Sequence, residues 1–162
     1  MKDIDIRPYE ASFRAELLQL VVSAWAPVFD KTQKQAPTFI YDNFYPHGWE
    51  TRQVDEVKEL LDQDASNIYV ALSGRKLVGF VGIKIHPEDN MGEIYIIAVA
   101  PSFQRRGIGR ALMLYAEQQI RECGMAMVMV ETVGDSGHEP ARRTYEAQGY
   151  QRWPVARYFK SL

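Results

Sequence analysis

Between Val99 and Ala111 the chain reads Val-Ala-Pro-Ser-Phe-Gln-Arg-Arg-Gly-Ile-Gly-Arg-Ala. The apolar run before this segment reads as a strand, and the amphipathic run after it as a helix. Glycines at such a junction let the backbone approach a ligand closely. The N–H groups of the first helical turn then face an anion, and the helix dipole favours it. Arg105, Arg106 and Arg110 add forked cationic donors. The expected product is a diphosphate cradle built from Gln104, Arg105, Arg106, Gly107, Ile108, Gly109 and Arg110.

Two kinds of cradle are excluded. A Walker-type loop needs Gly-Lys followed by Ser or Thr, and this loop has neither. A dinucleotide loop needs a third glycine in GxGxxG, and Leu112 stands in its place. The remaining pattern, Gln-Arg-Arg-Gly-Ile-Gly after a strand ending in Val-Ala-Pro, resembles the acyl-CoA loop of the GNAT superfamily of N-acetyltransferases. A second signature lies in register further on. His138-Glu-Pro-Ala141-Arg-Arg-Thr-Tyr145-Glu-Ala-Gln-Gly149-Tyr150 matches the alanine, tyrosine, glycine and aromatic of the family's Asn-x-x-Ala-x-x-x-Tyr-x-x-x-Gly-Phe. His138 departs from that pattern. It replaces an asparagine that helps hold the cofactor arm in relatives, and it either donates one hydrogen bond there or caps a helix. It is left outside the catalytic set.

The resemblance implies an acetyl-CoA-dependent transferase acting on an amine, with no metal. It implies an α+β fold: a mixed, largely antiparallel sheet flanked by helices, with a parallel strand–helix–strand unit that binds acyl-CoA. It places the backbone of Ile97, Ala98 and Val99 at the thioester carbonyl. Such chemistry has three demands. The amine must lose a proton, since a free alkylamine has a pKa of about 10. The oxyanion needs donors. The departing thiolate benefits from a proton. Tyr145, in register with the family's tyrosine, is the expected acid. Glu93 is the expected base. It opens its apolar strand fourteen residues before Gly107, where some relatives carry a basic glutamate. Alternation would put Glu93, Tyr95, Ile97 and Val99 on one face, with the carboxylate along the cleft.

Relatives place the acceptor between the first helices and the sheet. Here that region holds Trp25, Phe29 and further aromatics, with Asp30, Asp42 and Glu50 nearby. Such a set suits a cationic amine, and Trp25 and Phe29 are the expected contacts. A protein or peptide amine is the alternative acceptor. A regulatory module that binds acyl-CoA without turnover would keep the cradle but need neither Tyr145 nor Glu93. A toxin acting on nucleic acid would want a basic acceptor surface.

These residues need elements to hold them. Ile4 and Ile6 alternate with polar residues, predicting a short strand ended by Pro8. Phe13, Leu17, Leu18, Leu20 and Val21 fit a helix over 11–22. Residues 25–49, with Pro27, Pro37 and Pro46, read as irregular. A second amphipathic helix covers 51–62. Strands follow at 68–72, 77–85 and 93–99, an antiparallel meander whose last member reads as central and buried on both faces. A helix over 109–123 with Cys123 on its inner stripe, a buried strand from Met127, a helix over 139–148 and a last strand over 152–159 complete the order. The unit 93–99, 109–123, 127–132 should be parallel and right-handed.

The chain has 162 residues, 46% hydrophobic and 25% charged, as expected of one globular domain spanning 1–162. Residues 1–90 carry a net −4 and residues 91–162 a net +2, giving the overall −2. That balance argues against a nucleic-acid partner and agrees with a cationic acceptor in the first half and an anionic donor in the second. One cysteine excludes an intrachain disulfide framework. His47, His86 and His138 lack metal-ligand spacing. The start, Met-Lys-Asp-Ile-Asp, has no apolar leader, and no run is long enough to span a membrane, so a cytoplasmic protein is expected. A homodimer is compatible with all of this.

Overall fold

The structure, a computed structural model, describes residues 4–162. Five strands form one sheet in sequential order: β1 (Ile4–Pro8), β2 (Ile68–Ser73), β3 (Lys76–His86), β4 (Met91–Val99) and β5 (Met127–Val130). The first four are antiparallel, and β4 and β5 are parallel. The helices are α1 (Arg14–Gln35), α2 (Thr38–Phe44), α3 (Trp49–Gln63), α4 (Ile108–Glu122) and α5 (Glu139–Ala147). This is the α+β fold expected from the sequence, including the parallel β4–α4–β5 unit.

Each face of the sheet has its own core. On one face, Leu17, Leu20 and Val21 of α1 and Val57, Leu60 and Leu61 of α3 cover Val70, Leu72, Phe80 and Ala98. On the other, Ile108, Leu112, Met113, Ala116 and Ile120 of α4 cover Ala71, Val78, Val81, Ile83 and Ile94. The α4 stripe repeats at three and four residues, as one buried helix face requires. Contact is closest at Gly92, where a Cβ would collide with Ile120.

A bulge in β4 sets which side chains face which core. Gly82 pairs with Ile96 but Ile83 pairs with Ile94, so Tyr95 has no partner on β3. The extra residue breaks strict alternation. Ile94 and Ile97 pack on the α4 face, whereas Ile96 and Ala98 pack on the α1–α3 face. Glu93, opposite Lys84 and beside Met129, points away from the Ile83–Ile94 face. The expected common face for Glu93, Ile97 and Val99 is therefore not formed.

Four other expectations are corrected. Residues 25–35 are not irregular, because α1 runs straight through Pro27 to Gln35. Proline costs a helix interior about 3 kcal/mol. Packing offsets this, since buried Phe29 stacks on Trp49 at 4.6 Å with the rings 11° apart. β2 and β3, not β4, are buried on both faces, and Tyr95 on β4 is 43% exposed. Residues 151–162 form no strand and are exposed. Their alternating pattern finds no edge, since β5 is only four residues long. Cys123 caps α4 and is exposed rather than packed. Among the described residues, no helix is long and apolar enough to cross a membrane.

Candidate active site

The cradle forms as its residue types dictate. Pro101 ends β4 and opens a short turn over Pro101–Phe103. Arg105 and Gly107 then take left-handed conformations, φ 59° and 82°, and α4 begins at Ile108. Such alternation turns successive N–H groups to one side, a nest for an anion. Among the described residues, none of the N–H groups of Arg105 through Arg110 finds an acceptor, and no side chain caps α4. Gln104 Nε2 donates to the Val99 carbonyl at 3.0 Å, which ties the loop to the end of β4. Arg106 lies over the Phe103 ring at 5.1 Å and Lys76 lies over it at 5.3 Å. A Cβ added at Gly109 would come no nearer than 3.8 Å to Val99, so the space above it is open.

Beyond the cradle the sheet splits. β4 and β5 pair only from Met91–Met127 to Ile94–Val130. Past that point they diverge, and a cavity of about 610 Å³ opens between them. Ile94, Tyr95, Ile96 and Ile97 form one wall, and residues 130–133 another. Trp25 and Phe29 of α1, Tyr41 of α2, Tyr45 and Glu56 enclose the far side. Trp25, Phe29, Ile97 and Tyr145 thus line one cavity. Ala98 is buried under α1 and α3, and Val99 stands against the cradle.

Tyr145 lines the cavity from α5, and its hydroxyl has no hydrogen-bond partner among the described residues. Burial pushes that hydroxyl above its ordinary value, so it keeps its proton at neutral pH. Glu93 does not line the cavity. Its carboxylate stands 2.8 Å from His86 Nε2, across the β3–β4 hairpin. Glu93 is thus engaged on the hairpin by His86 and is not among the residues that line the cavity.

The sequence reading missed a second cluster in the cavity wall. Asp135 and His138 flank a tight turn, Ser136–His138, that leads into α5. Asp135 Oδ1 lies 2.7 Å from His138 Nδ1 and accepts the His138 backbone N–H at 3.0 Å. Asp135 Oδ2 accepts from the Thr32 hydroxyl of α1 at 2.8 Å. Burial opposes ionisation of Asp135, but the bonds from His138 and Thr32 outweigh it and hold the carboxyl below its ordinary value. An aspartate directly before a helical turn, here Ser136–His138, is a local capping signal. Nothing local signals Thr32, 103 residues away.

A sequence model of the acetyltransferase (GNAT) family matches residues 35–150. The chain belongs to that family. Its GNAT relatives include mycothiol acetyltransferases. That of Thermomonospora curvata is 37% identical over 92 residues, 57% of this chain and 30% of that protein. That of Rhodococcus jostii is 32% identical over 112 residues, 65% of this chain and 36% of that protein. The chain therefore spans about a third of the length of these relatives. Among solved structures, a GNAT-family acetyltransferase from Desulfovibrio desulfuricans superposes with a TM-score of 0.67 at 22% identity, over 94% of this chain and 88% of that one. An aminoglycoside N-acetyltransferase solved with CoA gives 0.67 at 15% identity, over 98% and 95%. These likenesses establish the GNAT fold.

The geometry fits acetyl-CoA, the donor of GNAT enzymes. Its diphosphate matches the open row of N–H groups, and Gly109 leaves room for it. From Val99 back to Tyr95 a strand covers about 13 Å at 3.3 Å per residue. A slender arm laid along that edge passes from the cradle into the cavity that holds Tyr145.

Proposed function

We propose that this chain moves an acetyl group from acetyl-CoA to a primary amine on a small cationic molecule, by direct attack on the thioester. The observation that carries the reading is the unpartnered N–H row of residues 105–110, at the end of the strand whose earlier residues wall the Tyr145 cavity. Gln104–Arg110 hold the diphosphate, with Arg105, Arg106 and Arg110 as counter-charges. The split edge of β4, at Ile97–Val99, supplies backbone donors to the thioester carbonyl. The amine nitrogen attacks that carbon, and the carbon–sulfur bond breaks. Tyr145 gives its proton to the departing thiolate and is reprotonated from the new amide nitrogen through solvent.

The acceptor side supports a cationic amine. Trp25, Phe29, Tyr41 and Tyr45 offer ring faces, and Asp135 offers negative charge, while Glu56 and Glu131 are paired with Arg52 and Arg157. The rings and the Asp135 carboxylate attract an ammonium group in a partly desolvated cavity. The test is a panel of cationic, neutral and anionic primary amines, each incubated with acetyl-CoA and the chain. Free CoA and the acetylated product are measured together. Turnover confined to cationic amines is the expected result. Turnover of neutral or anionic amines alone contradicts the acceptor class.

A further inference from the structure

We propose that Asp135 and His138 supply the base of this reaction, with His138 Nε2 taking the proton from the acceptor ammonium and Asp135 positioning the ring. This rests on the acetyl-transfer reading above. The Asp135 carboxylate accepts at Nδ1 over 2.7 Å, which leaves Nε2 as the unprotonated nitrogen of the neutral ring. His138 lines the same cavity as Tyr145. His138, Ala141 and Tyr145 are spaced three and four residues apart, so they share one face of α5 and the turn that leads into it. Seven residues of helix rise about 10 Å. That spacing lets one side chain serve the attacking nitrogen and the other the departing sulfur, with the acetyl carbon between them.

The pair is also held in place. Thr32 bonds the second carboxylate oxygen, and Gln35 of α1 bonds Ser136 through both its side-chain oxygen and nitrogen. Arg142 of α5 donates to the carbonyls of Val133 and Asp135 at 2.6 and 2.8 Å. Gly137 lies so close to α1 that a Cβ there would stand 2.9 Å from the Val28 carbonyl oxygen.

The other titratable groups in the cavity wall are already committed. Glu56 bonds Arg52 at 2.8 Å, and Glu131 bonds Arg157. Burial raises Tyr41, Tyr45 and Tyr145, which keeps them neutral. Among the described residues lining the cavity, that leaves the imidazole as the side chain of a type suited to exchange protons near neutrality.

The protons balance. His138 takes one from the ammonium and becomes imidazolium beside the Asp135 carboxylate. The free amine attacks, carbon–sulfur cleavage leaves the thiolate, and Tyr145 protonates it. The amide nitrogen sheds its extra proton, which restores Tyr145, and His138 returns its own to solvent.

The experiment compares wild type, His138→Asn, Asp135→Asn and Glu93→Gln over pH 5.5–9.5, with 2-phenylethylamine and neamine as acceptors. His138→Asn restores the residue of the family motif, so folding and acetyl-CoA affinity should be kept. Its kcat/KM at neutral pH should fall on the order of 10²-fold, and the loss should shrink at high pH, where amine arrives neutral. In Asp135→Asn the amide can still bond Thr32 and His138, but the charge is gone. The ascending limb should move to lower pH and its plateau should drop. Nitrogen-15 spectra of the imidazole in the free chain give a readout independent of turnover. They should show the Nδ1–H form in wild type, and the Nε2–H form overturns the proposal. An unchanged limb in His138→Asn, or a limb lost only in Glu93→Gln, also overturns it and leaves acetyl transfer standing. No CoA release with any amine of the wider panel overturns the acetyl-transfer reading and this proposal together.

Discussion

Glu93 Oε2 and His86 Nε2 stand 2.8 Å apart, fastening the two arms of the β3–β4 hairpin beside the sheet's parallel edge. The contact engages the carboxylate away from the cavity. Glu93→Gln is therefore expected to lower kcat/KM at neutral pH far less than Asp135→Asn does. Steady-state kinetics with one acceptor compares the two directly, and equal losses would return Glu93 to the reacting amine.

Gly109 tests the cradle without disturbing the fold. A valine there finds open space, 3.8 Å from Val99 at the nearest, and ordinary helical backbone. Its branches would occupy the volume above the N–H row instead. Calorimetry should show CoA affinity reduced at least about 10-fold, the equivalent of 1.4 kcal/mol, with the melting temperature nearly unchanged. Undiminished affinity removes the diphosphate from residues 105–110.

Tyr145→Phe keeps the ring against Tyr150, whose centroid lies 6.1 Å away, and removes only the hydroxyl. That hydroxyl bonds nothing among the described residues, so the folded chain loses no hydrogen bond. If it protonates the thiolate, kcat should fall roughly 10²-fold while the Kd of acetyl-CoA holds. A kcat equal to wild type, with chemistry rate-limiting, removes Tyr145 from the reaction.

Asp135 also ties α1 to the turn before α5, and this makes acid stability a probe. Its folded-state carboxyl lies below the ordinary value. Such a group contributes stability above the unfolded-state pKa of about 4, and the contribution fades as pH falls through the lower folded-state value. Thermal melts should show Asp135→Asn less stable than wild type at pH 7, by roughly 1–2 kcal/mol. The gap should close below about pH 4. A gap independent of pH means the charge does not hold the junction.

Much of this was legible in the chain, for physical reasons. The cradle could be read because glycine conformation, helix polarity and cationic side chains all act within seven residues. The helices α3 and α4 and strands β2 and β3 follow from period and local turn residues. Pro27 misled because its cost is local while the Phe29–Trp49 stack that offsets it joins residues 20 apart. The face of Glu93 was not legible because one bulged residue, Tyr95, puts the later side chains of β4 on faces that strict alternation does not give. The Asp135–Thr32 bond left no trace in the sequence, since only the folded chain brings α1 beside the turn before α5.

In the proposed function the cradle and the cavity serve one reaction, acetyl transfer to an amine. Its most direct measurement is mass spectrometry of a cationic primary amine incubated with acetyl-CoA and the purified chain, with free thiol followed in the same sample. One acetyl group should be gained per CoA released, at the amine nitrogen, and both signals should fall together in Gly109→Val at sub-saturating acetyl-CoA. Acetyl-CoA bound by calorimetry but no acetylated product from any amine would contradict it, and leave a chain that binds the donor without using it.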